Sequence, residues 1–158
     1  MQKKDKIIKW TLIAIFIGFA AWGLRSEAAE LGVGLSKAVS HGSEWTGQHL
    51  QFVHKDWYIE AAKLGGEDRL PDTFRYSSGF RIDWREKKEF SPFLKLGMAY
   101  FKEEPAWIIS DRWSYDMSLG VRFFKVLDLE FNHNSTAGRT DFNKGNDLIN
   151  LYLVKEFK

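Results

Sequence analysis

Hydrophobic and polar residues alternate along most of the chain after about its first thirty positions, in segments of roughly ten residues. In "FRYSSGFRIDWR", for example, Phe74, Phe80 and Ile82 share one face of an extended strand, and Arg75 and Arg81 fall on the other. This alternation is typical of β-strands with two unlike faces. It predicts eight strands in "ELGVGLS", "GQHLQFVHK", "WYIEAAK", "FRYSSGFRIDWR", "FLKLGMAYF", "YDMSLGVRF", "VLDLEFNHNS" and "LINLYLVKEF".

Eight antiparallel strands joined in series predict an all-β, up-and-down β-barrel over residues 30–158. A soluble lipocalin-like barrel would turn the apolar rows inward around a ligand, whereas a transmembrane barrel turns them outward to lipid. The segment lengths favour the transmembrane barrel, and so do the aromatic residues near segment ends, where girdles meet the headgroups. In that barrel, charges of both signs would pair in the lumen. The predicted girdle residues are Trp57, Tyr76, Trp84, Tyr100 and Tyr115, and the predicted lumen ion-pair partners are Arg75, Arg81 and Arg122.

The N-terminus has the layout of an export signal. A basic head, "MQKKDKIIK", precedes the apolar run "WTLIAIFIGFAAWGL" and the small-residue tail "RSEAAE". The apolar run is shorter than the ~20 residues that span a bilayer comfortably. We therefore expect residues 1–29 to be a cleaved signal peptide, with a retained inner-membrane anchor as the alternative. Either reading predicts an exported domain, and the barrel pattern predicts the bacterial outer membrane as its location.

Composition excludes several classes of function. The chain of 158 residues has no cysteine, so neither disulfides nor thiolate chemistry are available. Its formal net charge is +2 without a lysine–arginine cluster, so we expect no nucleic-acid partner. The histidines lack metal-ligand spacing, and we expect no metal or other cofactor. A homodimer is left open.

The connections between the predicted strands differ in length, which predicts the orientation of the barrel. Short turns at 54–56, 86–91 and 124–126 fall on the side of both termini, and longer links at 39–46, 65–73, 102–114 and 136–146 fall on the other. Outer-membrane barrels keep short turns in the periplasm and long loops outside. We therefore expect the long-loop end to face the cell exterior.

Polar residues interrupt one apolar row at that end. Leu129 and Phe131 share a face with His133 and Ser135, and on the next strand Asp147 shares the face of Ile149. If the two strands form a hairpin, the carboxylate comes beside the imidazole. Ser135 as nucleophile, His133 as general base and Asp147 as the residue that orients the imidazole would then form an acyl-transfer triad facing the membrane.

The stretch from His133 to Asp147 resembles the signature of the outer-membrane lipid A 3-O-deacylases, the PagL-type enzymes. "HNSTAG" followed by "NKGND" reproduces the spacing of the His-x-Ser motif and its acid, and Gly145 also matches. The resemblance covers about one tenth of the chain. It implies hydrolysis of the ester-linked acyl chain at position 3 of lipid A in lipopolysaccharide, with outer-membrane lipids as surroundings.

The resemblance also implies supporting residues. Asn143 takes the position of a family asparagine that helps hold the oxyanion, Gly138 matches the loop pattern, and Thr136 stands where the family typically has asparagine. The acid is aspartate where the family usually has glutamate, so the strand register must bring it closer.

Two other functions are compatible with the pattern. The barrel could be a non-catalytic envelope or adhesion protein, with His133 and Ser135 merely at the membrane interface, or a soluble carrier of an apolar ligand.

Exposed loop cations could meet lipid A phosphates by charge complementarity. These are Lys102, Arg112 and Arg139.

Overall fold

The structure, a computed structural model, describes residues 29–39, 45–65, 72–84, 89–103, 111–136 and 145–157. The predicted signal peptide lies outside the described residues, except for Ala29. The part of the chain that is described contains no helix long and apolar enough to cross a membrane. Its strands are β1 (Ala29–Ala38), β2 (Thr46–His54), β3 (Trp57–Gly65), β4 (Thr73–Asp83), β5 (Phe90–Phe101), β6 (Trp113–Phe123), β7 (Leu127–Ser135) and β8 (Asn146–Phe157).

Each strand pairs antiparallel with the next one in sequence, and β8 pairs with β1, which closes the barrel. The predicted eight-stranded up-and-down barrel is confirmed. Strand ends differ from the prediction by a few residues. The largest shift is at β5, which begins at Phe90 rather than Phe93, because Phe90 and Ser91 pair with Phe123 and Arg122 of β6.

The strands are staggered around the barrel. A path perpendicular to the strands that starts at Ala29 passes through Met117, His133 and Asp147 and returns to β1 at Val39, ten residues further on. Such stagger tilts the strands and rounds the sheet. The path climbs toward the long-loop end in the direction from β1 to β8. Register partners on neighbouring strands therefore lie at different heights along the barrel axis.

The two faces of the sheet differ as the alternation predicts. On β7, Asp128, Glu130 and Asn132 are buried in the lumen, while Leu129 and Phe131 are 44% and 48% exposed on the outside. A soluble lipocalin-like barrel needs an apolar interior, so that alternative is wrong. An apolar exterior around a charged interior is the arrangement of a transmembrane barrel.

The lumen is filled by two networks of ion pairs and hydrogen bonds. In the first, Glu60 accepts from Arg75 and from Lys95 at 3.4 Å, and Lys95 also pairs with Glu130 at 2.6 Å. The second lies nearer the short turns. There Asp128 accepts from Arg81 at 2.9 Å and from Arg122 at 2.6 Å. The predicted lumen roles of the three arginines are confirmed, and the pairing offsets the cost of burying these charges.

Aromatic side chains collect at both ends of the outer surface, where amphipathic rings suit a membrane interface. At the short-turn end Trp57 packs on Phe80 and Phe90 on Phe123, with ring centroids 4.1 and 5.6 Å apart; at the long-loop end Tyr100 packs on Trp113 and Phe74 on Tyr76, at 5.0 and 6.4 Å. Between them the outer surface is mainly aliphatic. The two girdles thus border a mainly aliphatic band on the outer surface.

Candidate active site

His133 and Asp147 face each other across the β7–β8 hairpin. They are direct register partners, and the Nδ1–H of His133 donates to Oδ1 of Asp147 at 2.6 Å. Directly opposed residues have Cβ atoms about 4.5–5.5 Å apart, which the short aspartate side chain can bridge. The register thus compensates for the methylene that aspartate lacks relative to the glutamate of the deacylases that the motif resembles. Both side chains are partly exposed, at 36% and 19%.

Ser135 lies two residues beyond His133 on the same outward row, at the last position of β7. Residues two apart on a strand are about 6.6 Å apart on one face. Because Nδ1 of His133 is engaged by Asp147, Nε2 is the nitrogen left to serve a neighbouring hydroxyl. The three predicted catalytic side chains therefore share the outer face at the long-loop end.

The backbone of Gly145 lies directly beside the imidazole of His133. Its φ is +71°, in the left-handed region that favours glycine. A Cβ added there would lie 2.6 Å from Cε1 of His133 and 3.4 Å from each ring nitrogen. The backbone of Gly145 thus packs closely against the edge of the ring. Gly145 matches the motif of the resembled deacylases in sequence, and its place against His133 emerges only from the fold.

Apolar side chains border the site on the β6 side. Met117 is the register partner of His133 and Tyr115 that of Ser135, and they are 49% and 46% exposed. Below them, Leu119 and Phe131 continue the outward apolar surface toward the middle of the barrel. An apolar surface thus extends from the neighbourhood of Ser135 toward the middle of the barrel.

The structure describes only some of the residues predicted to support the site or to meet lipid A phosphates. Gly138 and Asn143 lie outside the described residues, as does Arg139. Thr136 is fully buried, so its side chain is enclosed rather than exposed beside the outward-facing triad. Lys102 is exposed and pairs with Glu103 at 3.7 Å, and Arg112 is exposed as well.

A second serine–histidine–acid arrangement lies inside the lumen. Nε2 of His49 lies 2.6 Å from Oγ of Ser36, and its Nδ1 lies 3.0 Å from Oε1 of Glu60. Alternation within single strands does not indicate this set, because its members come from three strands, although all three residues point inward. Ser36, His49 and Glu60 are buried, and Glu60 is also engaged by the lumen cations. The arrangement lies inside the barrel, away from the lipid-facing surface, and its hydrogen bonds stabilise the interior.

Metal ligands do not gather in the described part of the chain, where no group of three or more His, Asp or Glu side chains could hold an ion.

No protein-family model matches the chain, and no curated protein matches it. Among the solved structures that resemble it are two natural outer-membrane proteins and one designed barrel. The outer-membrane enzyme PagL has a TM-score of 0.56 at 15% identity, with 79% of this chain and 97% of that one covered. A de novo designed transmembrane β-barrel has a TM-score of 0.51 at 8% identity, covering 82% and 94%. The Yersinia pestis outer-membrane protein Ail has a TM-score of 0.46 at 11% identity, covering 82% and 100%. The first two show the fold of a transmembrane β-barrel.

Proposed function

We propose that this protein is an outer-membrane serine esterase that removes the ester-linked 3-hydroxyacyl chain at position 3 of lipid A. The observation that carries the proposal is the hydrogen-bonded His133–Asp147 pair on the outward face, with Ser135 on the same row. Polar groups in contact with hydrocarbon are costly. The neighbouring positions on each strand face the lumen, where polar side chains find partners. The placement of these three residues on the outward face therefore favours a role toward lipid.

The proposed location follows from the outer surface. The apolar band between two aromatic girdles would span the outer membrane, with the long loops outside and the triad at the level of the outer leaflet. Residues 1–29 would serve as the signal peptide, which N-terminal sequencing of the mature protein tests. A lipid ester would reach Ser135 laterally, without leaving the membrane.

The proposed reaction is a two-step acyl transfer. Oγ of Ser135 attacks the ester carbonyl carbon while Nε2 of His133 takes its proton, and Asp147 stabilises the imidazolium. The tetrahedral intermediate collapses, the sugar oxygen leaves with that proton, and the acyl group stays on Ser135. Water then attacks the acyl-serine while Nε2 of His133 takes its proton, and His133 returns that proton to Oγ of Ser135 as the 3-hydroxy fatty acid leaves. The resemblance implies that Asn143 donates to the oxyanion and that Gly138 belongs to the same loop pattern. Because the side chain of Thr136 is buried, its contribution would come through its backbone amide.

Incubation of the purified, folded protein with lipid A, followed by mass spectrometry of the lipid, tests this function. The wild type should remove one 3-hydroxyacyl group, and Ser135→Ala should not. Ser78→Ala is the matched control, because Ser78 is also exposed on the outer face but lies away from the site, on β4. Ser78→Ala should retain full activity.

Two results would contradict the proposal. If the folded wild type leaves several lipid A variants unchanged, the protein is a non-catalytic envelope barrel. If Ser135→Ala remains active, another group is the nucleophile.

A further inference from the structure

Charged side chains are rare on the outward rows of the eight strands. Besides Asp147, those rows carry only Lys37 on β1, Lys63 on β3 and Lys155 on β8. All three lysines are exposed. Lys155 lies at the short-turn end, whereas Lys37 and Lys63 lie toward the long-loop end, where the triad is.

Lys37 is a close neighbour of the triad. It pairs with Ile149 of β8, and Asp147 is the next outward position of β8 toward the long loops. Diagonal neighbours of this kind lie about 7–8 Å apart. A lysine side chain is long enough to place its ammonium group beside a ligand held at the triad.

Lys63 lies at nearly the same height as Lys37 along the barrel axis. The perpendicular path from Lys37 reaches Gly65 on β3, and Lys63 is two residues below Gly65. The path climbs ten residues over eight strands, hence about two and a half over these two. The climb from Lys37 to Gly65 and the step down from Gly65 to Lys63 nearly cancel, which leaves the two lysines at almost the same height. With strands about 4.8 Å apart, the two Cα atoms are about 12 Å apart.

The outer surface at this height therefore has two halves. On β4–β6 it is aromatic, formed by Phe74, Tyr76, Tyr100, Trp113 and Tyr115. On β1–β3 it carries Lys37 and Lys63 together with the exposed polar residues Thr46 and Gln48. The triad on β7–β8 lies where the two halves meet. A lysine on the lipid face is most costly at the bilayer midplane and least costly near the interface, so both lysines fit the headgroup level.

We propose that Lys37 and Lys63 bind the phosphate-bearing headgroup of the lipid substrate and so orient its ester toward Ser135. Ammonium groups form charge-assisted hydrogen bonds with phosphate oxygens, and the dry side of a membrane interface strengthens them. This proposal rests on the proposed esterase function and adds a preference for phosphorylated over dephosphorylated lipid. Lys37 and Lys63 are positioning residues, outside the chemical step.

The test compares initial rates on lipid A and on dephosphorylated lipid A in mixed micelles. The Lys37→Gln/Lys63→Gln double variant should lose about 10-fold in kcat/KM on lipid A, mainly through KM, and little on the dephosphorylated lipid. Lys155→Gln is the matched control and should behave as wild type on both lipids. Equal losses on the two lipids, or no loss on either, would overturn the phosphate role.

A binding measurement separates this proposal from the esterase proposal. Native mass spectrometry of Ser135→Ala, with and without the two lysine substitutions, reports lipid retention without turnover. Lipid A should be retained more strongly than dephosphorylated lipid A or phosphatidylglycerol, and the lysine substitutions should remove the difference. Equal retention of phosphatidylglycerol would overturn the assignment to the substrate headgroup. If the lysine-dependent preference is present but the wild type is inactive, only the esterase proposal fails.

Discussion

His133 and Asp147 are register partners across the β7–β8 hairpin, and the imidazole Nδ1–H donates to the carboxylate at 2.6 Å on the outer face of the barrel. This one contact selects the ring tautomer that leaves Nε2 able to accept a proton. It also partners two polar groups that would otherwise be costly against lipid.

Asp147→Asn should keep the barrel folded and lower kcat on lipid A by about 10²–10⁴-fold, because a neutral amide neither stabilises the imidazolium nor enforces the tautomer. Asp147→Glu should fall between this variant and the wild type, since direct register opposition leaves little room for a longer side chain. Heat-modifiable migration on a gel verifies folding in each case. Full activity of Asp147→Asn would show that the pair is only structural.

Gly145→Ala should lower activity by about 10²-fold, since a misplacement of the imidazole by about 1 Å is enough for such a loss. The added methyl group would be 2.6 Å from Cε1 of His133 on a backbone with φ of +71°. Gly65→Ala is the control, because a Cβ there meets nothing closer than 3.8 Å. Equal activities of the two variants would mean that the close packing of Gly145 against the His133 ring has no catalytic importance.

Leu151→Lys should destabilise the protein in bilayers by about 2–4 kcal/mol, the usual cost of a lysine on the lipid face near the midplane. Leu151 is 46% exposed and pairs with the outward residues Leu35 and Leu129. Urea unfolding from lipid vesicles, followed by tryptophan fluorescence, measures the change. A neutral or stabilising effect would indicate that this surface faces water.

Glu60→Gln should cost about 3–5 kcal/mol of unfolding free energy, because it leaves Arg75 and Lys95 buried without their shared carboxylate. The control is Glu103→Gln, whose pair with Lys102 is about half exposed and should be worth no more than about 1 kcal/mol. The same unfolding measurement compares them. Similar losses for the two variants would show that the lumen network adds no more stability than a surface pair.

Alternation alone predicts most of the fold, because every second residue of a strand must suit the same environment. It predicts the eight strands and the outward row of His133, Ser135 and Asp147. It also predicts lumen pairs such as Arg81–Asp128 in kind, since opposite charges in a closed interior have few other partners.

Other features depend on the register between strands rather than on the pattern within any one strand. The Ser36–His49–Glu60 set needs three strands in a specific alignment, and nothing in any one strand indicates it. The role of Gly145 depends on a positive φ and on the position of the His133 ring, neither of which a sequence pattern specifies. Likewise, the common height of Lys37 and Lys63 follows only from the stagger of the closed barrel.

The presence of two serine–histidine–acid sets in one chain makes the identity of the nucleophile the central question. A long-chain alkyl fluorophosphonate in detergent micelles phosphonylates an activated serine, with loss of fluoride, and peptide mass spectrometry locates the label. The label should map to Ser135, disappear in Ser135→Ala and persist in a folded Ser36→Ala variant. A label on Ser36, or folded protein that hydrolyses lipid A while Ser135 stays unmodified, would contradict a membrane-facing Ser135 nucleophile.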